Sequence, residues 1–163
     1  MKSTKTVLAV AIVIAVVPSC SMPASEPAPS TPLPQGVFST TDDCDIRTTD
    51  PFGVQTIETQ TFSLSFEITD RGVPIVLGAE IAVGRTVTLE GIEVTYTRIE
   101  ATATGVIIHS DISGSVNNIS ITGTAIATFS ATDASAIQYD ITQLIIDSNG
   151  FLSNSACTFI LVP

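Results

Sequence analysis

The sequence predicts an all-β protein, built as a single antiparallel β-sandwich or small β-barrel of about eight or nine strands. From about Val37 to Pro163 the chain is rich in Thr, Ile, Val and Ser, which fit a pleated sheet. Apolar and polar residues alternate in several runs, and no apolar stripe of helical spacing is sustained after residue 20. About 125 residues are ample for one hydrophobic core.

The first half of this region contains the clearest alternation. Phe62–Ile68 places its apolar residues on one face and its polar residues on the other, as a half-buried strand does. Val73–Val83 repeats the pattern, and Gly78 within it is predicted to form a bulge. The phase of the alternation changes at Glu90-Gly91, which predicts a bulge or tight turn there.

The second half supplies four more strands. Alternating apolar residues predict strands within Val106–Ile112, Ile119–Phe129, Ile137–Ile145 and Cys157–Leu161. Asp147-Ser148-Asn149-Gly150 predicts a type I′ hairpin turn, because Asn-Gly readily adopts positive φ angles.

The N-terminus has the pattern of a signal peptide. Lys2 and Lys5 precede the unbroken apolar run Val7–Val17. This run is shorter than the roughly 20 apolar residues that a membrane-spanning helix needs, and it suits the apolar region of a signal peptide.

The residues that follow, Val17-Pro18-Ser19-Cys20, resemble the lipobox of bacterial lipoproteins. The resemblance implies that residues 1–19 are removed and that Cys20 is acylated and anchors the protein in a membrane. Ser21, in place of Asp after the cysteine, implies sorting to the outer membrane of a Gram-negative cell. Two or more acyl chains hold a protein firmly on a bilayer, whereas one binds only marginally. The alternative is ordinary secretory cleavage near Ser21 or Ala24.

A proline-rich segment follows the cysteine. Residues 20–36 contain five prolines among Ser, Ala and Thr, a composition that favours extended polyproline II. We therefore expect three regions: a signal peptide over 1–19, a lipidated tether over 20–36 and an all-β domain over 37–163. Fully stretched, the tether would reach roughly 60 Å from the bilayer.

Two cysteines remain if Cys20 carries lipid, and they lie near the two ends of the predicted domain. The envelope outside the inner membrane is oxidising, so we predict a Cys44–Cys157 disulfide. The alternative is a pair of buried free thiols. The sequence contains no C-x-x-C spacing, so no metal site is predicted from the cysteines. No cofactor is predicted.

The charge is strongly acidic. Cleavage before Cys20 would remove both lysines and leave four arginines against 16 acidic residues, a formal charge of −12. Such a surface argues against binding of nucleic acid or anionic lipid headgroups. It also suits a salty habitat.

Two groups of polar residues are candidates for chemistry. Asp42, Asp43 and Asp45, with Asp50 nearby, form a candidate calcium site, but their spacing does not match an EF-hand, and a solvated turn is the favoured interpretation. His109 and Asp111 could pair on one face of a strand, which would resemble half of a catalytic triad.

The sequence offers no nucleophile motif to complete that pair, so no catalytic residue is predicted and His109 is interpreted as an exposed strand residue. The favoured function is a non-enzymatic envelope lipoprotein whose β domain binds a protein partner or supports an envelope assembly. The alternatives are a calycin-like carrier of a small apolar ligand or lipid and, third, a hydrolase of unknown type.

Overall fold

The structure is a computed structural model that describes residues 26–76, 78–132 and 135–163. These residues contain no helix, and the predicted all-β class is confirmed. The strands are β1 Glu26–Pro27, β2 Gly36–Thr49, β3 Gln55–Ile68, β4 Pro74–Val76, β5 Ala79–Glu80, β6 Ala82–Val83, β7 Thr86–Leu89, β8 Ile92–Ala101, β9 Gly105–Val116, β10 Ile119–Ala131, β11 Ile137–Asp147 and β12 Leu152–Leu161.

Ten of these strands form one antiparallel sheet, in the order β5-β4-β3-β2-β12-β11-β10-β9-β8-β7. Most neighbours in the sheet are also neighbours in sequence, joined by hairpins. The exception is the pairing of β2 with β12, which brings the first and last long strands together. The short strands β1 and β6 form a separate antiparallel pair.

The sheet is curled into a half-barrel, as the aromatic contacts inside it require. Phe66 on β3 and Phe129 on β10 lie four strand positions apart, which would be about 19 Å in a flat sheet. Their ring centroids are 4.9 Å apart. The rings therefore meet across the concave side of the sheet.

At one end of the half-barrel, residues 79–85 carry the chain from one edge of the sheet to the other. Ile81 donates its N–H to the carbonyl of Pro74 on β4, and Gly84 donates its N–H to the carbonyl of Tyr96 on β8. The two outermost strands of the sheet flank this stretch, since β5 begins it and β7 follows it directly. The half-barrel is bridged at this end by a few residues only.

The concave side holds the hydrophobic core, and the largest side chains in it are aromatic. Phe129 contacts Tyr139 at 4.6 Å between ring centroids, and Tyr139 contacts Phe159 at 6.1 Å. Tyr96 is buried as well, and burial raises the pKa of both tyrosine hydroxyls above the usual value. Aliphatic side chains, mostly Ile and Val, fill the remainder of the core.

Three local predictions differ from the structure. The acidic stretch around Cys44 lies in the middle of β2 and is not a turn. The predicted strand over Val73–Val83 is divided into β4, β5 and β6; Gly78, with a φ of 77°, lies between β4 and β5, and Ile81 lies between β5 and β6. The turn after Asp147 is not type I′, since only Gly150 has a positive φ; paired positive φ angles occur instead at Asn117-Asn118.

The proline-rich segment also differs from its expected role as a tether over its described part, residues 26–35. Ala28 and Leu33 are buried in the core, and Thr31 donates its N–H to the carbonyl of Arg71 at 2.9 Å. Because these two apolar side chains pack into the core, the segment is held against the domain. The folded region therefore begins before Val37.

Candidate functional site

The predicted disulfide between Cys44 and Cys157 is present in the structure. The two residues lie directly opposite each other on β2 and β12, in the register set by Ser155↔Ile46 and by the isolated bridge Ser39↔Val162. Their Cα atoms are 5.6 Å apart, and the bridge links positions 113 residues apart in sequence. It therefore fixes the one non-sequential strand pairing in the ten-stranded sheet.

The candidate calcium ligands do not converge. Asp43 and Asp45 point to the outer face of β2, where Asp43 accepts a hydrogen bond from Thr61 at 2.5 Å and Asp45 accepts one from Thr59 at 2.6 Å. Asp42 lies on the opposite face, because neighbouring side chains in a strand alternate. Among the described residues, no group of three or more His, Cys, Asp or Glu side chains is arranged to hold a metal ion.

His109 pairs with a different carboxylate from the one that the sequence suggested. Its Nε2 lies 3.1 Å from Oε1 of Glu100 on the neighbouring strand β8, and Arg98 lies 3.0 Å from the other oxygen of the same carboxylate. The three side chains are half-exposed or exposed on the outer face. They form a surface cluster in which the Glu100 carboxylate contacts both Arg98 and His109.

Cys20 lies outside the described residues. The described chain begins at Glu26, which pairs with Val83 on β6 beside the residues that bridge the two edges of the sheet. The stretch between Cys20 and Glu26 can span at most about 20 Å, given the reach of an extended chain. A lipid on Cys20 would therefore hold this end of the half-barrel close to a membrane.

The most unusual feature of the domain is the long free edge of β3. On one side β3 pairs with β2 along its whole length, from Ile68↔Gly36 to Gln55↔Thr49. On the other side, within the described chain, it pairs only through Glu67 and Ile68, with the short strand β4. Residues 55–66 therefore form an edge without a neighbouring strand in the described part of the protein.

The hydrogen-bonding phase identifies which residues of β3 face this free edge. Ser39 exchanges both of its backbone hydrogen bonds with Val162, so the odd-numbered residues of β2 bond towards β12 and the even-numbered ones towards β3. Since Phe38 lies opposite Phe66, the even-numbered residues of β3 bond towards β2. The odd-numbered N–H and C=O groups of β3 point towards the free edge.

The backbone contacts between the end of β3 and β4 also show that the odd-numbered residues of β3 bond away from β2. Thr69 donates its N–H to the carbonyl of Val73, and the neighbouring pair Ile68↔Pro74 cannot exchange two hydrogen bonds because proline has no N–H. Over 55–66 the backbone groups that face the free edge belong to Gln55, Ile57, Thr59, Thr61, Ser63 and Ser65.

Side chains beside this edge are only partly covered. Phe62 and Leu64 point to the concave side and pack against the core, but both remain half-buried. Further along the same face, Glu58 is exposed. The concave face of β3 thus passes from apolar residues to a carboxylate along the strand.

Two hairpin turns form an exposed tip at the end of β2 and the beginning of β12. In each, an aspartate accepts hydrogen bonds from backbone N–H groups: Asp50 from Phe52 and Val54, and Asp147 from Asn149 and Phe151. Phe52 is 92% exposed, so it contributes almost no packing to the domain.

Comparisons with known proteins do not assign the chain. No protein-family model, no curated protein and no solved structure matches it. Over the residues that the structure describes, no helix has the length and apolar character needed to cross a membrane.

Sequence reasoning did not identify the free edge of β3. One signal was available: Thr56, Glu58 and Gln60 are polar at positions that share the face of Phe62 and Leu64. Apart from the exposed Ile57, the first half of β3 is polar on both faces, as expected of a strand that extends beyond the core that it covers. The alternation of residues gives the face of each side chain but not the number of neighbouring strands.

Proposed function

We propose that this protein is a cell-envelope lipoprotein, anchored through acylated Cys20, whose β domain binds a protein partner without catalysing a reaction. The resemblance of Val17-Pro18-Ser19-Cys20 to a lipobox supports the anchor. The Cys44–Cys157 disulfide is consistent with an oxidising compartment.

The observation that carries the binding role is the free edge of β3. Unpaired backbone N–H and C=O groups in a row are a template for pairing with another chain. Proteins commonly protect such edges with short strands, with Lys or Pro residues, or with a covering segment. β3 has 14 residues and contains neither Lys nor Pro.

A carrier of a small apolar ligand is the second candidate, because Phe62, Leu64 and Ile141 are only half-buried on the concave side. A ligand held there would cover them. The two functions differ in what accompanies the purified protein: a lipid in one case and a protein in the other.

The test uses the full-length protein, tagged at the C-terminus and recovered from chemically cross-linked cells. We expect the wild-type chain in the membrane fraction, with acyl groups on Cys20 by mass spectrometry and with a co-purifying envelope protein. Cys20→Ala should move to the soluble fraction, because the anchor is lost.

An unmodified Cys20 thiol in the membrane-recovered protein would refute the anchor. Absence of any protein above the level of a tag-only control would refute the binding role. Release of a stoichiometric lipid by organic solvent, with no protein partner, would instead establish the carrier.

A further inference from the structure

We propose that the free edge of β3 accepts an extended segment of another protein, which adds a strand to the half-barrel beside residues 55–66. The inference rests on the proposed binding function and names its site and the chemistry of its partner. The segment would hydrogen-bond to the odd-numbered residues of β3, whose N–H and C=O groups point away from β2. Strand addition of this kind gains affinity from the backbone and specificity from alternate side chains.

The residues on the concave face of β3 indicate where the bound segment should be apolar. Alternate residues of an added strand lie on the same face as Phe62 and Leu64, the half-buried residues next to the core. Apolar side chains at the two positions opposite them would complete the burial of both. The other face of the segment would meet Thr61 and Ser63 and is expected to be polar.

The charge on β3 indicates which residue type is expected at the other end of the segment. Glu58 is exposed on the concave face, and between Gln55 and Ile68 the strand has two carboxylates and no cationic residue. A Lys or Arg opposite Glu58 would complement this charge. An antiparallel segment would therefore read, from its N-terminus, apolar-polar-apolar followed by polar residues and then a cation.

The same charge disfavours a second copy of this chain as the occupant. Pairing of β3 with β3 of a copy brings together two strands with four carboxylates and no cation, on domains whose formal charge would be −12 each after cleavage at Cys20. Like charges at an interface slow association and weaken it. A cationic, alternating segment of a different protein has neither disadvantage.

The test compares two substitutions at one position of the edge. Ser63→Pro removes an outward N–H without removing a hydrogen bond to β2, whereas Ser63→Ala keeps the N–H. Both lose the hydroxyl contact between Ser63 and Thr41 at 3.0 Å, so this contact cancels in the comparison. Ser65→Pro is a second edge variant, for use if Ser63→Pro does not fold.

The first readout is binding of a fluorescent synthetic peptide, TVTVTTTKT with blocked ends, to the full-length protein in detergent. We expect saturable binding to wild type and Ser63→Ala, and binding about tenfold weaker to Ser63→Pro, because one central backbone hydrogen bond is lost and the proline ring obstructs the edge. A peptide with Glu in place of Lys should bind to wild type at least about threefold more weakly than the Lys peptide does.

The second readout is the partner recovered from cross-linked cells. We expect Ser63→Ala to retain it and Ser63→Pro to lose it. Equal recovery with both variants would overturn the edge site while leaving the binding function intact, whereas no recovery with wild type would refute the binding function itself. A dimer of this chain that Ser63→Pro abolishes would overturn the proposed occupant, as would equal binding of the Lys and Glu peptides.

Discussion

Replacing Cys44 and Cys157 together by alanine is expected to lower the free energy of unfolding by about 4–5 kcal/mol. The bridge closes a loop of 113 residues, and the loss of chain entropy in the unfolded state grows with loop length. A domain of this size has a total stability of only about 5–15 kcal/mol, so the variant would be close to unfolding. The measurement is urea denaturation followed by circular dichroism, with wild type in the presence and absence of reductant.

The structure adds a second reason for a large effect. The bridge joins β2 to β12, and the backbone pairs between these strands are confined to Thr49–Ile46 and to Ser39. Between these points the disulfide is the covalent link that holds the two halves of the sheet in register. Cys20→Ala, which leaves the bridge intact, serves as the control. A loss below about 1 kcal/mol in the double variant would contradict this account of the fold.

Phe129→Ala is expected to cost about 3–5 kcal/mol, as for other large aromatic residues removed from a core. Phe129 is 2% exposed, and its ring contacts Phe66 on β3 and Tyr139 on β11. The contact with Phe66 connects strands that are four positions apart in the sheet, so its removal affects the curl as well as the burial. The change is measured by urea denaturation on the oxidised protein.

Phe52→Ala is the matched control for this substitution. The side chain is the same, but Phe52 is 92% exposed at the hairpin tip, and its removal should change stability by about 0.5 kcal/mol or less. Similar losses for the two substitutions would mean that the aromatic rings do not meet across the concave side, and the half-barrel would be wrong.

The strands that could be predicted from sequence are those with one face against the core. In β10, β11 and β12 the inward positions are occupied by residues such as Phe129, Tyr139 and Phe159, so the alternation gives both the strand and its buried face. The disulfide could be predicted because assigning Cys20 to lipidation leaves only two cysteines.

Strand β2 could not be recognised in this way. Its inward positions include Thr40 and Asp42, which interrupt the apolar series, and Asp is disfavoured in strands. In the structure the pairing of β2 with the whole of β3 overrides this preference, and Thr59 and Thr61 donate hydrogen bonds to Asp45 and Asp43. These contacts are non-local and leave no local signal.

The candidate site was missed for a related physical reason. An edge is defined by the neighbour that a strand lacks, and the number of neighbours depends on topology. Here it depends on β4, which is so short that it covers only Glu67 and Ile68. The sequence pattern predicts only a bulge at Gly78, whose positive φ helps to end β4.

Amide hydrogen exchange along β3, followed residue by residue by NMR on the domain without partner, tests the central claim most directly. If the edge is open, the amides of Ile57, Thr59, Thr61, Ser63 and Ser65 exchange much faster than those of Glu58, Gln60, Phe62 and Leu64, which bond to β2. In the central strand β10, which has a neighbour on each side, both the odd-numbered and the even-numbered amides should be protected from exchange. Odd-numbered amides of β3 protected to the level of β10 would mean that another strand already occupies this edge, and would contradict the account.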